Sequence, residues 1–378
     1  MFIRKSYFVL GIGILDSTIF AAKIIRMEWN GRIESFVFLG NFLRDFLDEQ
    51  GRREDLLFSG LEDAIRQAGV MNAWFVRESV EQALRAWTVN LRKEELEKWL
   101  EPYASQLRGR APDRNVAVIM AGNIPLVGFH DFLSVLLSGN RFTGRLSSDD
   151  TELLPALSRI LVHFNSEWEG RIMFTKERLT GFDAVITTGS NNSAHYFNYY
   201  FSKVPHIIRK NRNGIAILTG DEDEQELAGL ADDIFLYFGL GCRNVSKLYF
   251  PAGYDVAPLF DAFRRYSGFS THHKLMNNHD YYRSIFLLNQ IPAMDNGFML
   301  LTENKAIASP PAVIYYEYYT NPDDLLDQLS VQKDEIQVTI CKKEIPLSYY
   351  RPGHAQAPGL SDYADGIDTM QFLLGLHK

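Results

Sequence analysis

Asn115-Val116-Ala117-Val118-Ile119-Met120-Ala121-Gly122-Asn123-Ile124-Pro125 is the stretch that decides the fold of this chain. Residues 115–120 form a short β-branched run with no amphipathic face, the pattern of a strand buried on both sides. A glycine-containing turn follows, and residues 124–137 read as a helix. Residues 141–146 are the next extended piece, 156–164 a helix, 183–187 a strand and 193–201 a helix. This alternation predicts a parallel sheet covered by helices.

The pattern restarts after Arg212. Strands are predicted at 214–218, 246–250, 312–318 and 335–340, and helices at 224–238, 254–265 and 323–329; residues 284–288 read as extended. Ahead of the first strand, residues 27–109 read as mostly helical, with stripes such as Leu96, Trp99, Leu100 and Tyr103 at helical spacing. The fold class is therefore α/β. The expected division is N-terminal helices plus a nucleotide-binding domain (27–212), a second α/β domain (213–345) and a tail (346–378).

A chain of 378 residues is long enough for two such domains. A net charge of −8, with no broad basic stripe, gives no electrostatic case for nucleic acid as a partner. Two cysteines, Cys242 and Cys341, exclude a disulfide framework and a cysteine metal cage, so no metal is expected. They also suit a reducing, cytoplasmic compartment. At the N-terminus, Arg4-Lys5 precede an apolar run (7–15) that resembles a signal peptide. The run is shorter than the ~20 residues a membrane span needs, so no stable membrane insertion is expected. Asp16 ends it without a clear cleavage pattern. A natural start at Met27, a signal peptide and an ordinary N-terminal element all stay open for residues 1–26.

Four segments carry chemistry. Asn123 stands at the turn after the first strand, where open α/β sheets bind ligands; an N-cap is the competing role. In Gly139 to Ser148, a strand is followed by Arg145 and the hydroxyls of Ser147 and Ser148, suited to a ribose or its 2′-phosphate. In Ala184 to Ser190, a strand turns through Gly189-Ser190 into a helix whose first N–H groups suit a phosphate, although many βα turns look alike. The fourth, Tyr237-Phe238-Gly239-Leu240-Gly241-Cys242-Arg243-Asn244, sets a lone thiol beside two glycines and a cation. That suits a nucleophile which a cofactor must approach closely, with a buried structural cysteine as the alternative.

In this order and at these separations the four segments resemble the aldehyde dehydrogenase superfamily, with its Asn-x-Pro turn, glycine-asparagine strand ending in a cation, Thr-Gly-Ser turn and Gly-x-Cys nucleophile. The closer resemblance is to its acyl-CoA reductase branch of the LuxC type. It is carried by Leu146-Ser147-Ser148-Asp149, by Ile207 to Arg212 (IIRKNR), and by Asp232 to Asn244 (DDIFLYFGLGCRN), and spans about 116–318. The resemblance implies a Rossmann-type cofactor domain beside an α/β catalytic domain. It also implies an acyl-CoA substrate reduced to an aldehyde through a thioacyl cysteine, and a homodimer or larger assembly with the tail as a contributor.

In the implied roles, Cys242 is the nucleophile and Asn123 an oxyanion donor. Arg145, Ser147, Ser148, Gly189, Ser190, Gly239, Gly241 and Glu303 hold the cofactor, Glu303 as a ribose ligand whose register is ambiguous. Two departures matter. The superfamily's Glu-Leu-Gly-Gly segment, with its general-base glutamate, corresponds to residues 207–214, which contain no carboxylate. Such a site is suited to reducing a thioester rather than hydrolysing it. Arg145 replaces the usual lysine, and with Ser148 it favours NADPH at least as well as NADH. Aldehyde oxidation and a non-redox CoA-binding, nucleotide-binding or acyl-transfer role are the alternatives.

Weaker candidates complete the reading. His272-His273-Lys274 with Asn277-Asn278 read as a polar loop, either solvated or touching CoA. Arg209 and Arg212 either hold a phosphate or pair with the acidic run 221–226. His195 and His206 read as structural.

Overall fold

In the computed structural model, the described residues are 28–49, 55–108, 113–189 and 191–376. The readings for residues 1–26 fall outside them. Two sheets form the framework. The first contains β1 (Asn115–Ile119), β2 (Arg141–Arg145), β3 (Ile172–Thr175), β4 (Ala184–Thr188) and β5 (His206–Arg209), all parallel, in the order β3-β2-β1-β4-β5. Strand order reverses between β1 and β4, so the loops leaving their carboxyl ends diverge and open a crevice. Val116, Ala117 and Val118 in β1 and Ala184 to Ile186 in β4 are at most 1% exposed, as strands covered on both faces require.

The second sheet contains β6 (Asn213–Ile217), β7 (Val245–Pro251), β8 (Ala293–Asp295), β9 (Leu300–Glu303), β10 (Val313–Tyr319), β11 (Ile336–Cys341) and β12 (Tyr349–Tyr350), in the order β12-β11-β6-β7-β10-β9-β8. Only the β8–β9 pairing is antiparallel. The helix Glu224–Phe235 connects β6 to β7 and starts at a reciprocal cap: Asp223 Oδ1 accepts from Glu226 N and Glu226 Oε2 from Asp223 N (2.8 and 2.9 Å).

The N-terminal helices Trp29–Glu49, Leu56–Met71, Arg77–Asn90 and Lys93–Leu100 bury their apolar faces in one core with the first sheet's helices. The turn between the second and third of them braces both halves of the molecule. Asn72 Nδ2 donates to Gly122 O (3.2 Å), while Ala73 O accepts from His272 Nε2 (2.8 Å).

Several boundaries differ from the sequence reading. The helix expected from residue 124 starts at Phe129, because Leu126 adopts a left-handed conformation (φ 58°). The helix expected to reach Phe238 stops at Phe235, where Tyr237, Phe238 and Gly239 are all left-handed (φ 55°, 57° and 74°). The helix expected at 254–265 is Ala257–Phe263, continued by a 3-10 stretch to Thr271. Residues 284–288 are not extended, and 272–278 is not a loop: His273–Leu288 is one helix. His272 caps it, its Nδ1 accepting from Leu275 N (3.1 Å), and stacks between Trp74 and Phe238. This corrects the assignment of His272 and its neighbours to a solvated or CoA-touching loop. The tail packs on its own chain: β12 joins the second sheet, and the helix Thr369–Gly375 is buried against Phe129–Leu137.

Candidate active site

Cys242 sits three residues before β7, at the amino-terminal edge of the second sheet, on a loop pressed against the crevice of the first sheet. The contact between the two is specific: Asn123 Nδ2 donates to Leu240 O at 2.7 Å. Asn123 is exposed and makes no cap for the Phe129–Leu137 helix, whose start lies six residues further on. Its second amide hydrogen makes no hydrogen bond among the described residues.

The cysteine loop is built by Asn244, which is 2% exposed. Its Oδ1 accepts from Gly241 N (2.8 Å), and its Nδ2 reaches Leu236 O (2.8 Å), Asp233 O (3.1 Å) and Ile234 O (3.3 Å). One amide thus ties the last carbonyls of the 224–235 helix to the residue before the nucleophile. A Cβ on Gly241 would meet Asn244 Oδ1 at 2.8 Å, so glycine is needed for that approach. Between the two anchors run the left-handed Tyr237 and Phe238, each a conformation costing about 1–2 kcal/mol for a non-glycine residue. Asp233, fully buried, fastens the other side by accepting from Gly353 N (2.7 Å) and Ala355 N (3.0 Å) of the tail. Arg243 Nε donates to Ala355 O (2.6 Å), and its guanidinium lies over the Tyr350 ring.

Cys242 has an exposed surface but protein closely packed around its sulfur. The crowding dominates: burial pushes the thiol up, and nearby Asp365 adds to this, while Arg243, Arg209 and the residue's own N–H pull it down. Arg209 does not pair with the acidic run 221–226. Its Nη1 and Nη2 grip Asp131 Oδ2 and Oδ1 (the second at 2.8 Å), and Nη2 also donates to Thr369 Oγ1 (3.0 Å). Arg212 Nε pairs with Asp365 Oδ1 (3.3 Å), whose Oδ2 accepts from Lys210 N (3.2 Å). A carboxylate absent from residues 207–214 is thus brought near the cysteine by the tail, one oxygen hydrogen-bonded and the other at ion-pair distance from Arg212.

Around the crevice, Gly122 closes the gap between the loops after β1 and β2: a Cβ there would lie 2.6 Å from Ser147 Oγ and 3.0 Å from Asp149 Cβ. Ser147 Oγ accepts from Asp149 N (3.2 Å), and Arg145 and Ser148 are exposed at the rim. Gly189 follows β4 on the other side of the switch point, two residues after Thr187, whose hydroxyl is fully buried without a partner among the described residues. An orphaned hydroxyl, a glycine-lined cradle and free cations fit a dinucleotide. Ser190 lies outside the described residues. Gly239 opens onto an apolar cavity of about 40 Å³ lined by Phe235, Phe238, Phe269 and Phe298.

Glu303 does not join this group. It pairs with Tyr316, which pairs in turn with Leu248, so it lies two strands across and three residues beyond Val245. At ~4.8 Å per strand and ~3.3 Å per residue, that is on the order of 14 Å from Val245, toward the opposite sheet edge. Asn72, Asp131 and Asp365 carried no signal as site residues because their partners lie on other elements, whereas Asp233 and Asn244 stood within the segment 232–244 already singled out.

Comparison with known proteins agrees with this geometry. Among solved structures, the fold is similar to a putative aldehyde dehydrogenase from Burkholderia cenocepacia (12% identity, 86% of this chain and 77% of that one, TM-score 0.55). It is also similar to a Mycobacterium tuberculosis aldehyde dehydrogenase complexed with NAD+ (12%, 83% and 73%, TM-score 0.57). A third is aldehyde dehydrogenase 21 from Physcomitrella patens, in complex with its reaction product succinate (11%, 84% and 74%, TM-score 0.58). No curated protein matches the sequence. The profile of the acyl-CoA reductase (LuxC) family matches residues 54–250, from the N-terminal helices through the first sheet and the cysteine loop to β7. With more than half of its length matched, the chain belongs to the acyl-CoA reductase (LuxC) family.

Proposed function

We propose that the chain reduces a fatty acyl-CoA to an aldehyde with NADPH, through a thioester on Cys242. The carrying observation is the Asn123–Leu240 hydrogen bond, which sets the switch-point amide against the cysteine loop. The cysteine sulfur, as thiolate, adds to the thioester carbonyl. The carbon–sulfur bond to CoA breaks, and CoA leaves as its thiol with the proton Cys242 gave up. Asn123's second amide hydrogen and the Cys242 N–H are the donors for the oxyanion, each worth ~3 kcal/mol in such sites. Arg209 and Arg243 favour the thiolate against the burial that opposes it.

Gly122, Ser147, Ser148 and Arg145 on one side, and Thr187 and Gly189 on the other, would hold a nicotinamide dinucleotide, which supplies hydride to the acyl carbon when bound. The NAD+ complex of the M. tuberculosis structure supports that class of cofactor for this fold. The tetrahedral adduct then collapses at Cys242, releasing aldehyde and regenerating the thiolate.

Aldehyde oxidation would need a free carboxylate to activate water. Asp365 raises the Cys242 thiol, but its Oδ2 accepts from Lys210 N and its Oδ1 lies at ion-pair distance from Arg212 Nε (3.3 Å). Purified protein incubated with acetyl-, octanoyl- and palmitoyl-CoA should oxidise NADPH and release aldehyde and CoA, all abolished in Cys242→Ala. Binding of nucleotide and CoA without turnover, with an unreactive Cys242, would favour a non-redox binding protein instead.

A further inference from the structure

The candidate site is assembled from two halves of the molecule: Asn123 stands on the turn after β1, and Cys242 on the loop before β7. The hydrogen bond from Asn123 to Leu240 joins them directly. A second connection runs between the same two segments by way of the N-terminal helices. It starts at Gly122, the neighbour of Asn123, whose carbonyl accepts from Asn72 Nδ2 (3.2 Å). Asn72 is buried, and its Oδ1 accepts from Trp74 N (3.1 Å), so one amide fixes both the crevice turn and the turn that carries Trp74. The Trp74 ring centroid lies 5.3 Å from that of Phe238 and 5.1 Å from that of His272, and the Phe238 and His272 rings are 4.3 Å apart. Phe238 is four residues before Cys242 and holds a left-handed backbone (φ 57°).

His272 is the crossing point. Its Nδ1 accepts from Leu275 N (3.1 Å) and so caps its own helix, while its Nε2 donates to Ala73 O (2.8 Å) across the two halves. A neutral imidazole with its proton on Nε2 makes both bonds at once. The first bond serves the helix; the second ties the 72–74 turn to the half that carries Cys242. A single link between Asn123 and Leu240 fixes one distance and leaves the loop free to pivot about it. A second tie at Phe238 removes that freedom. We infer that Asn72, Trp74 and His272 are positioning residues, forming a strut that sets the cysteine loop against the Asn123 turn through the bond from His272 to Ala73. The roles of Asn123 and Cys242 rest on the proposed reductase reading. A misplacement of about 1 Å between reacting groups can cost on the order of a hundredfold in rate, so a strut remote from the chemistry is felt in turnover.

The two bonds of His272 can be separated by substitution. Asparagine sets its oxygen near the place of Nδ1 and is a good helix cap, whereas glutamine sets its amide nitrogen near the place of Nε2. His272→Asn therefore keeps the cap and loses the tie to Ala73, and His272→Gln keeps the tie and loses the cap. Three quantities are measured on the full chain: turnover of octanoyl-CoA with NADPH, melting temperature, and the rate of Cys242 alkylation by iodoacetamide. His272→Asn should lower kcat by roughly tenfold, with KM and melting temperature near wild type, and should change the alkylation rate by at least about threefold. His272→Gln should lower the melting temperature yet recover most of the turnover and the wild-type alkylation rate. Asn72→Ala cuts the same strut at its other end, so adding it to His272→Asn should cost no more than the larger single loss. Wild-type turnover and alkylation in His272→Asn, equal impairment of the two His272 variants, or losses that simply add in the double variant would overturn the strut. Absence of aldehyde from the wild type would refute the reductase reading alone, and the alkylation rates would still decide the strut.

Discussion

Replacing Asn244 with alanine should both destabilise the protein and unlock the cysteine loop. The side chain is 2% exposed and makes four hydrogen bonds, all to backbone: one accepted from Gly241 N and three donated to Leu236, Asp233 and Ile234 carbonyls. A net hydrogen bond is worth ~1 kcal/mol, and a buried group left without a partner costs ~1–3 kcal/mol. Water can reach some of the freed carbonyls, so the expected loss is about 3–5 kcal/mol, a large share of the 5–15 kcal/mol typical of a domain. The left-handed Tyr237 and Phe238 would also lose the anchor that holds them there. Urea unfolding gives the first readout. The rate of Cys242 alkylation by iodoacetamide under native conditions gives the second, with buried Cys341 as the internal control. Asn244→Asp keeps the acceptor for Gly241 N but loses the donors, so it should fall on the same side. A variant within about 1 kcal/mol of wild type, with unchanged Cys242 alkylation, would refute the clamp.

Three other predictions follow from single residues. Burial pushes the Asp150 carboxyl up to about 6 from 3.8, so the folded state loses stability relative to the unfolded chain as pH rises from 3.8 through about 6. Asp150→Asn removes that dependence and should be more stable than wild type above pH ~6 by up to about 3 kcal/mol, converging with it near pH ~4; a difference in urea midpoint that does not change with pH would count against the argument. Gly122→Ala places a Cβ 2.6 Å from Ser147 Oγ and should weaken dinucleotide binding, at ~1–3 kcal/mol, with the cysteine loop intact; unchanged calorimetric affinity would count against the crevice. Asn123→Ala should lower kcat by roughly a hundredfold with little change in melting temperature, and near-wild-type turnover would remove it from the oxyanion site.

The alternating framework was legible because β1 and β4 are buried on both faces and therefore apolar throughout. The cysteine motif was legible because its glycines and Asn244 act within a few residues of one another. The helix His273–Leu288 was obscured because one of its three buried positions is His279, held by Asp295 (Nε2 to Oδ1, 2.8 Å), which breaks the apolar period. β3 was missed because it is four residues long and half exposed. Tail residues such as Asp365 and Thr369 act across more than 150 positions, on Lys210 and Arg209, and nothing local in the sequence announces such contacts.

The most direct test of the central claim is the intact mass of the protein after incubation with octanoyl-CoA in the absence of any nucleotide. The account predicts an increase of one octanoyl group, mapped to Cys242, discharged as octanal when NADPH is added and missing in Cys242→Ala. An unmodified mass, or an adduct on any other residue, would contradict it.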